Sequence, residues 1–65
     1  MVYFKEVQSN QPALVRYEEG KLCEKYNYKK GRWEKDYKIF ADMLVGKIEV
    51  DKVTEQEVNK LINEY

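Results

Sequence analysis

The segment Lys25-Tyr-Asn-Tyr-Lys-Lys-Gly-Arg-Trp-Glu-Lys35 gathers the side chains of this protein that could act together on a ligand. Lysine and arginine neutralise phosphates, while tyrosine and tryptophan rings are platforms on which unpaired bases stack. Lys25, Tyr26, Tyr28, Lys29, Lys30, Arg32 and Trp33 are therefore a candidate surface for single-stranded nucleic acid. That use requires rings and cations to be exposed on the same face. Glu24, Glu34 and Asp36 are interspersed with the cations and work against it. The chain as a whole offers no bulk attraction to nucleic acid, since its twelve basic and twelve acidic residues cancel.

Other candidates carry less chemistry. The acidic residues of the C-terminal half, Asp42, Glu49, Asp51, Glu55, Glu57 and Glu64, could dock on a basic partner. Ordinary helix chemistry explains part of them, because Glu55 and Glu57 sit where a helix dipole favours negative charge. Glu18 and Glu19 are adjacent at a turn and point apart, whereas general acid–base catalysis needs two carboxylates converging on a pocket. A contact from Glu18 to Lys21 is the expected use of Glu18. Cys23, the only cysteine, stands between Lys21 and Lys25, which could lower its pKa. With no histidine in the chain, a nucleophile lacks its usual base. A lone cysteine also excludes an internal disulfide and the usual zinc spacings. Gly20, Gly31 and Gly46 are isolated and form no phosphate loop.

The elements that must position these residues are legible as patterns. Val2–Gln8 is rich in strand formers and ends at the turn cluster Ser9-Asn-Gln-Pro12. Ala13–Glu18 follows, with Ala13, Val15 and Tyr17 on one face, then Glu19-Gly20 as a two-residue hairpin turn. Leu22–Tyr28 is a third strand, Lys30-Gly31 a second turn, and Arg32–Lys35 a fourth strand. With both loops two residues long, Tyr17 faces Leu22, Val15 faces Glu24, Tyr28 faces Trp33 and Tyr26 faces Lys35. Alternation then puts Tyr17, Leu22, Tyr26, Tyr28 and Trp33 on one greasy face. Arg16, Cys23, Lys25, Asn27, Arg32 and Glu34 fall on the other. Glu24 is out of place on the greasy side, which marks it as a rim residue or marks a slip in register.

Asp36 can cap a short helix over 37–45, with Ile39, Phe40, Met43 and Leu44 as its apolar positions and Gly46 as a left-handed stop. Lys47–Val50 alternates and reads as a fifth short strand or a connector. Thr54 and Glu57 form a capping box, and Val53 and Val58 can staple it. Val58, Leu61, Ile62 and Tyr65 recur at helical spacing and form one apolar stripe. Such a helix is marginal alone and must cover something.

Charge is uneven along the chain. Residues 21–38 hold seven basic and three acidic side chains, against three and six over residues 39–65. This asymmetry is the one sequence-level sign of a directed surface.

Taken together, Arg16-Tyr-Glu-Glu-Gly20, the aromatic strand, Gly31-Arg-Trp33, the short helix and Val53-Thr-Glu-Gln-Glu-Val58 resemble a group of small bacterial and phage proteins of unassigned function. In that group a Gly-x-Trp strand is followed by a helix opened by Val/Ile-Thr/Ser-Glu-x-Glu. The resemblance spans nearly the whole chain, implies a bacterial or phage-derived intracellular domain, and transfers no active residue.

The 65 residues predict one α+β domain. It is an antiparallel β-meander of about four strands packed against the C-terminal amphipathic helix, with a second short helix near 37–45. No apolar run reaches the roughly 18 residues of a membrane span, and the first residues lack a signal-peptide pattern, so the expected compartment is the cytoplasm. The expected function is a non-enzymatic interaction module, with no cofactor, no metal and no membrane contact. It binds a partner protein or forms a homodimer, with Val2–Gln8 as an available edge strand. Nucleic-acid binding through residues 25–35 is the alternative.

Overall fold

Five strands make one antiparallel sheet: β1 (Val2–Glu6), β2 (Leu14–Tyr17), β3 (Glu24–Asn27), β4 (Arg32–Lys35) and β5 (Val50–Val53). Their spatial order is β4-β3-β2-β1-β5. Helix α1 (Tyr37–Leu44) connects β4 to β5, and α2 (Glu55–Glu64) follows β5. The structure, a computed structural model, describes residues 1–7 and 9–64. Gln8, expected at the end of the first strand, and Tyr65, expected in the terminal helix stripe, lie outside the described residues.

The α+β meander is present as β1 to β4, and β5 adds a fifth strand beside β1. The first strand is therefore not an edge, as its sequence implied, but sits between β2 and β5. Tyr3 and Phe4 are neighbours and so point to opposite faces, which calls for cover on both faces of the sheet. The edges are β4 and β5, each four residues long and carrying charges (Arg32, Glu34, Lys35; Asp51, Lys52), which discourages pairing with another sheet. The strand expected over Lys47–Val50 begins instead at Val50. Glu49 still contributes to the sheet end, its carbonyl accepting from the Val7 N–H at 2.9 Å.

Cross-strand partners define the two faces. Phe4, Val15, Lys25 and Glu34 form one row, and Tyr3, Arg16, Glu24 and Lys35 form the next. Alternation puts Phe4, Val15, Tyr17 and Cys23 on one face and Tyr3, Leu14, Arg16, Tyr26, Trp33 and Val53 on the other. On the first face Val15, Cys23 and Ile39 of α1 are buried together, flanked by Phe4, Met43 and Ile48. On the second face Leu14 is fully buried. Val53 directs the chain to that side, and α2 packs against β1 with Val58 only 1% exposed and outside the Val15 cluster. One helix thus covers each face.

Both helices are closed by side chains and turns that the sequence announces. The Asp36 carboxylate accepts from the Ile39 N–H at 3.0 Å, and the Thr54 hydroxyl accepts from the Glu57 N–H at 3.1 Å. At the end of α1, Lys47 N–H donates to the Asp42 carbonyl (2.9 Å) and Gly46 N–H to Met43 (3.3 Å). This is a Schellman turn, and the Gly46 φ of 78° is the left-handed value that it needs.

Both hairpins differ in register from two-residue loops. At β3–β4, Tyr26 faces Trp33 and Asn27 faces Arg32, leaving residues 28–31 as the loop. Asn27 accounts for it: its carbonyl accepts from Gly31 N–H (2.8 Å) and its side-chain oxygen from Lys30 N–H (3.1 Å). At β2–β3, Arg16 faces Glu24 and Val15 faces Lys25. Here the shift is by one residue, so Tyr17 passes to the α1 side and Arg16 joins the aromatic side. Glu24 stays among the aromatics because Arg16 now meets it at 2.7 Å.

Candidate interaction surface

The seven residues singled out over 25–33 are divided between two faces and a turn. Tyr26 and Trp33 are direct partners on the α2 side, Lys25 and Arg32 point to the α1 side, and Tyr28, Lys29 and Lys30 lie in the 28–31 loop. Rings and strand cations are thus back to back. The aromatic rings are half-buried and engage one another: Tyr26–Trp33 centroids are 5.3 Å apart, Tyr26–Tyr28 5.2 Å and Tyr3–Trp33 6.1 Å, all edge-on. The Arg16 guanidinium lies 4.5 Å from the Trp33 centroid while its Nε donates to Glu24. The Tyr28 hydroxyl donates to the Pro12 carbonyl. A base seeking to stack on Trp33 would have to displace Arg16 or Tyr3.

The cations are also partly neutralised. Glu34 lies 3.6 Å from Lys30 and 3.4 Å from Arg32. The Asn27 amide donates to Glu34 at 2.8 Å, and that hydrogen bond, followed by the two cations, holds its carboxyl below the usual range. At the β3–β4 end of the sheet an open hollow of about 370 Å³ brings four of the seven together, Lys25, Tyr26, Tyr28 and Lys29, but Lys35, Glu34 and Asp36 line it as well. Its mixed signs do not select a polyanion.

Cys23 departs from its sequence reading. Burial, then the Asp36 carboxylate, push its thiol up, and the basic neighbours in sequence do not lower it. The side chain is packed under α1 with Val15 and Ile39, which removes it from attack. The Glu18–Lys21 contact is present at 3.1 Å, made within the turn. Among the described residues no group of three or more His, Cys, Asp or Glu could hold a metal ion. Among them, too, no helix is long and apolar enough to cross a membrane.

The surface that the sequence reading missed is the outer side of α1. Ile39 and Met43 face the sheet, but Tyr37 and Leu44 are each 72% exposed and Val45 70%, with Phe40 and Leu22 partly exposed beside them. Two apolar hollows flank this ridge and share Tyr17, Cys23 and Phe40. One, of about 120 Å³, reaches Leu22 and Tyr37; the other, of about 320 Å³, reaches Phe4, Leu44 and Val50. Tyr17 and Phe40 stack at 5.9 Å between them. A signal for this surface is present in the sequence: seven of the nine residues from Tyr37 to Val45 are apolar. A helix apolar on nearly every side has more greasy surface than one sheet face can cover.

No family model, no curated protein and no solved structure matches this chain. Function rests on geometry.

Proposed function

We propose that this protein is a small non-enzymatic interaction module that binds a partner protein or a second copy of itself through the α1 face. The observation that carries the reading is the exposure of Tyr37, Leu44 and Val45 on a helix whose other side is already packed on the sheet. Isolated apolar residues on a surface are ordinary, but a contiguous ridge with apolar hollows on its flank is the form of a docking site. The buried thiol and the mixed-sign 370 Å³ hollow supply no nucleophile–base pair, which supports a binding role over a catalytic one.

The test compares the wild-type chain with the double variant Leu44→Ser/Val45→Ser as baits for proteins of the native host. Both positions are exposed, so the variant is expected to keep its fold, checked by circular dichroism. The expected outcome is a retained species, foreign protein or untagged copy of this chain, that is lost from the variant. Identical retention by both baits would refute the reading.

The alternative, a single-stranded nucleic-acid binder using Lys25, Tyr26, Tyr28, Lys29, Lys30, Arg32 and Trp33, draws support from their proximity around the 28–31 loop. Against it stand the opposed faces of Tyr26/Trp33 and Lys25/Arg32 and the occupation of Trp33 by Arg16. Quenching of Trp33 fluorescence by an oligonucleotide at low salt, reversed by added salt, would establish it.

A further inference from the structure

Resting on the interaction reading, we infer that the occupant of the α1 face is a second copy of this chain, docked with the two α1 helices antiparallel about a twofold axis near Phe40. Three observations converge on this arrangement.

The first is area. Tyr37 and Leu44 (72% exposed), Val45 (70%), Leu22 (41%) and Phe40 (38%) together leave on the order of 500 Å² of apolar side chain in water, at roughly 150–200 Å² per large side chain. Interfaces are about 60% apolar, so a patch of this size corresponds to about 800 Å² per partner once its polar rim is included. That is the area of a standard specific complex.

The second is charge. Lys38, exposed beside Val45, and Asp42, half-buried one helical turn later, lie on the same flank of the apolar arc. A twofold axis perpendicular to α1 keeps both flanks on the same side and reverses their order along the helix. Each Lys38 then stands opposite the Asp42 of the other copy, twice per dimer. A twofold axis parallel to the helix would carry this flank to the opposite side of the seam, beside the uncharged Phe40–Met43 flank, and form neither pair, so the charges favour the antiparallel pairing. The same arrangement brings Tyr37 towards Leu44 and, beside the axis, Phe40 to the Phe40 of the other copy.

The third is overall charge. The net charge of the chain is zero, so two copies meet no net repulsion at long range. A foreign partner bearing a patch of one sign would meet Lys38 and Asp42 as one attraction and one repulsion.

Sedimentation equilibrium on the purified chain, from about 10 μM to about 1 mM, is expected to show the mass rising from one chain to two. Leu44→Asp should weaken this association at least about tenfold, since it places a charge in the seam. Charge variants supply the decisive arm. Lys38→Asp alone and Asp42→Lys alone each set like charges across the twofold and should stay monomeric. An equimolar mixture of the two restores both opposite pairs and should dimerise, an outcome that intrahelical effects within one chain cannot produce. A wild-type chain monomeric throughout, or a mixture no more associated than its components, overturns the dimer. Should the dimer fail while the Leu44→Ser/Val45→Ser bait still loses a foreign protein, the interaction reading stands and the identity of its occupant changes. If both fail, the α1 face has no docking role.

Discussion

The two helices of this protein are of similar length, eight and ten residues, and each opens on a side-chain cap, yet they meet water differently. Helix α2 shows one apolar stripe, buries Val58, half-buries Leu61 and Ile62, and gives its remaining described positions to charged and amide side chains. Its sequence contains about as much greasy surface as the sheet beneath it can take. Helix α1 spends Ile39 and Met43 on the sheet and still presents Tyr37, Leu44 and Val45. The difference separates a helix made to complete a fold from one that completes a fold and offers something besides. An apolar count larger than the available core is a functional signal in a domain this small, where the fold can spare little.

The largest test of that contrast is a pair of truncations. Val58→Ala removes two methyl groups from a site 1% exposed and should cost about 2 kcal/mol, read as a lower urea midpoint at constant slope. Leu44→Ala, a larger truncation on a 72% exposed residue, should change the stability of the dilute chain by less than about 0.5 kcal/mol. Equal losses would mean that α1 belongs to the core as fully as α2 does.

The caps sharpen the comparison at a smaller scale. Asp36→Ala and Thr54→Ala each orphan one backbone N–H at a helix start, at Ile39 and Glu57 respectively, and each should cost about 1 kcal/mol by denaturant unfolding. Similar values would show that the helices differ in what they cover rather than in how they begin.

The smallest effect concerns the thiol beneath α1. A group held neutral by burial binds its proton more tightly in the folded state. Its contribution to stability is therefore complete below the ordinary thiol range and declines as pH rises through that range. Unfolding midpoints should drift downward on the alkaline side, and Cys23→Ser or Cys23→Ala should flatten that drift. Labelling of Cys23 by a disulfide reagent should be much slower than in the unfolded chain. Ile39→Ala, which loosens α1 alone, should accelerate labelling more than its loss of global stability accounts for.

How far the sequence could be read follows from the arithmetic of alternation. At β3–β4 the loop is two residues longer than a tight hairpin, and a shift of one pair keeps every side chain on its own face. The opposition of Tyr26 and Trp33 to Lys25 and Arg32 was therefore legible in spite of the wrong partners. At β2–β3 the slip is by a single step, and Tyr17 and Arg16 exchanged sides. Arg16 had no sequence signal linking it to Trp33 or Glu24; only the fold brings them together. The fifth strand, read as a strand or a connector over Lys47–Val50, lies three residues later at Val-Asp-Lys-Val, which carries little apolar weight of its own to mark it. Tyr3 beside Phe4 in β1 asks only for cover on both faces of the sheet, so the side chains of β1 did not announce a neighbour on its second edge. The capped helices were the most legible parts, since a cap and its partner lie within four residues and need no tertiary context.

The late arrival of β5 has a consequence for the chain during its synthesis. Tyr3 pairs with Val53 and Glu6 with Val50, so the second border of β1 stays open until some fifty residues have followed it. A product ending before Val50 would keep the first four strands while exposing the backbone of β1 beside Tyr3 and Phe4 as a bare ribbon. Premature termination would thus turn the middle of this protein into an adhesive edge, the kind of fragment that proteases must clear before it recruits others.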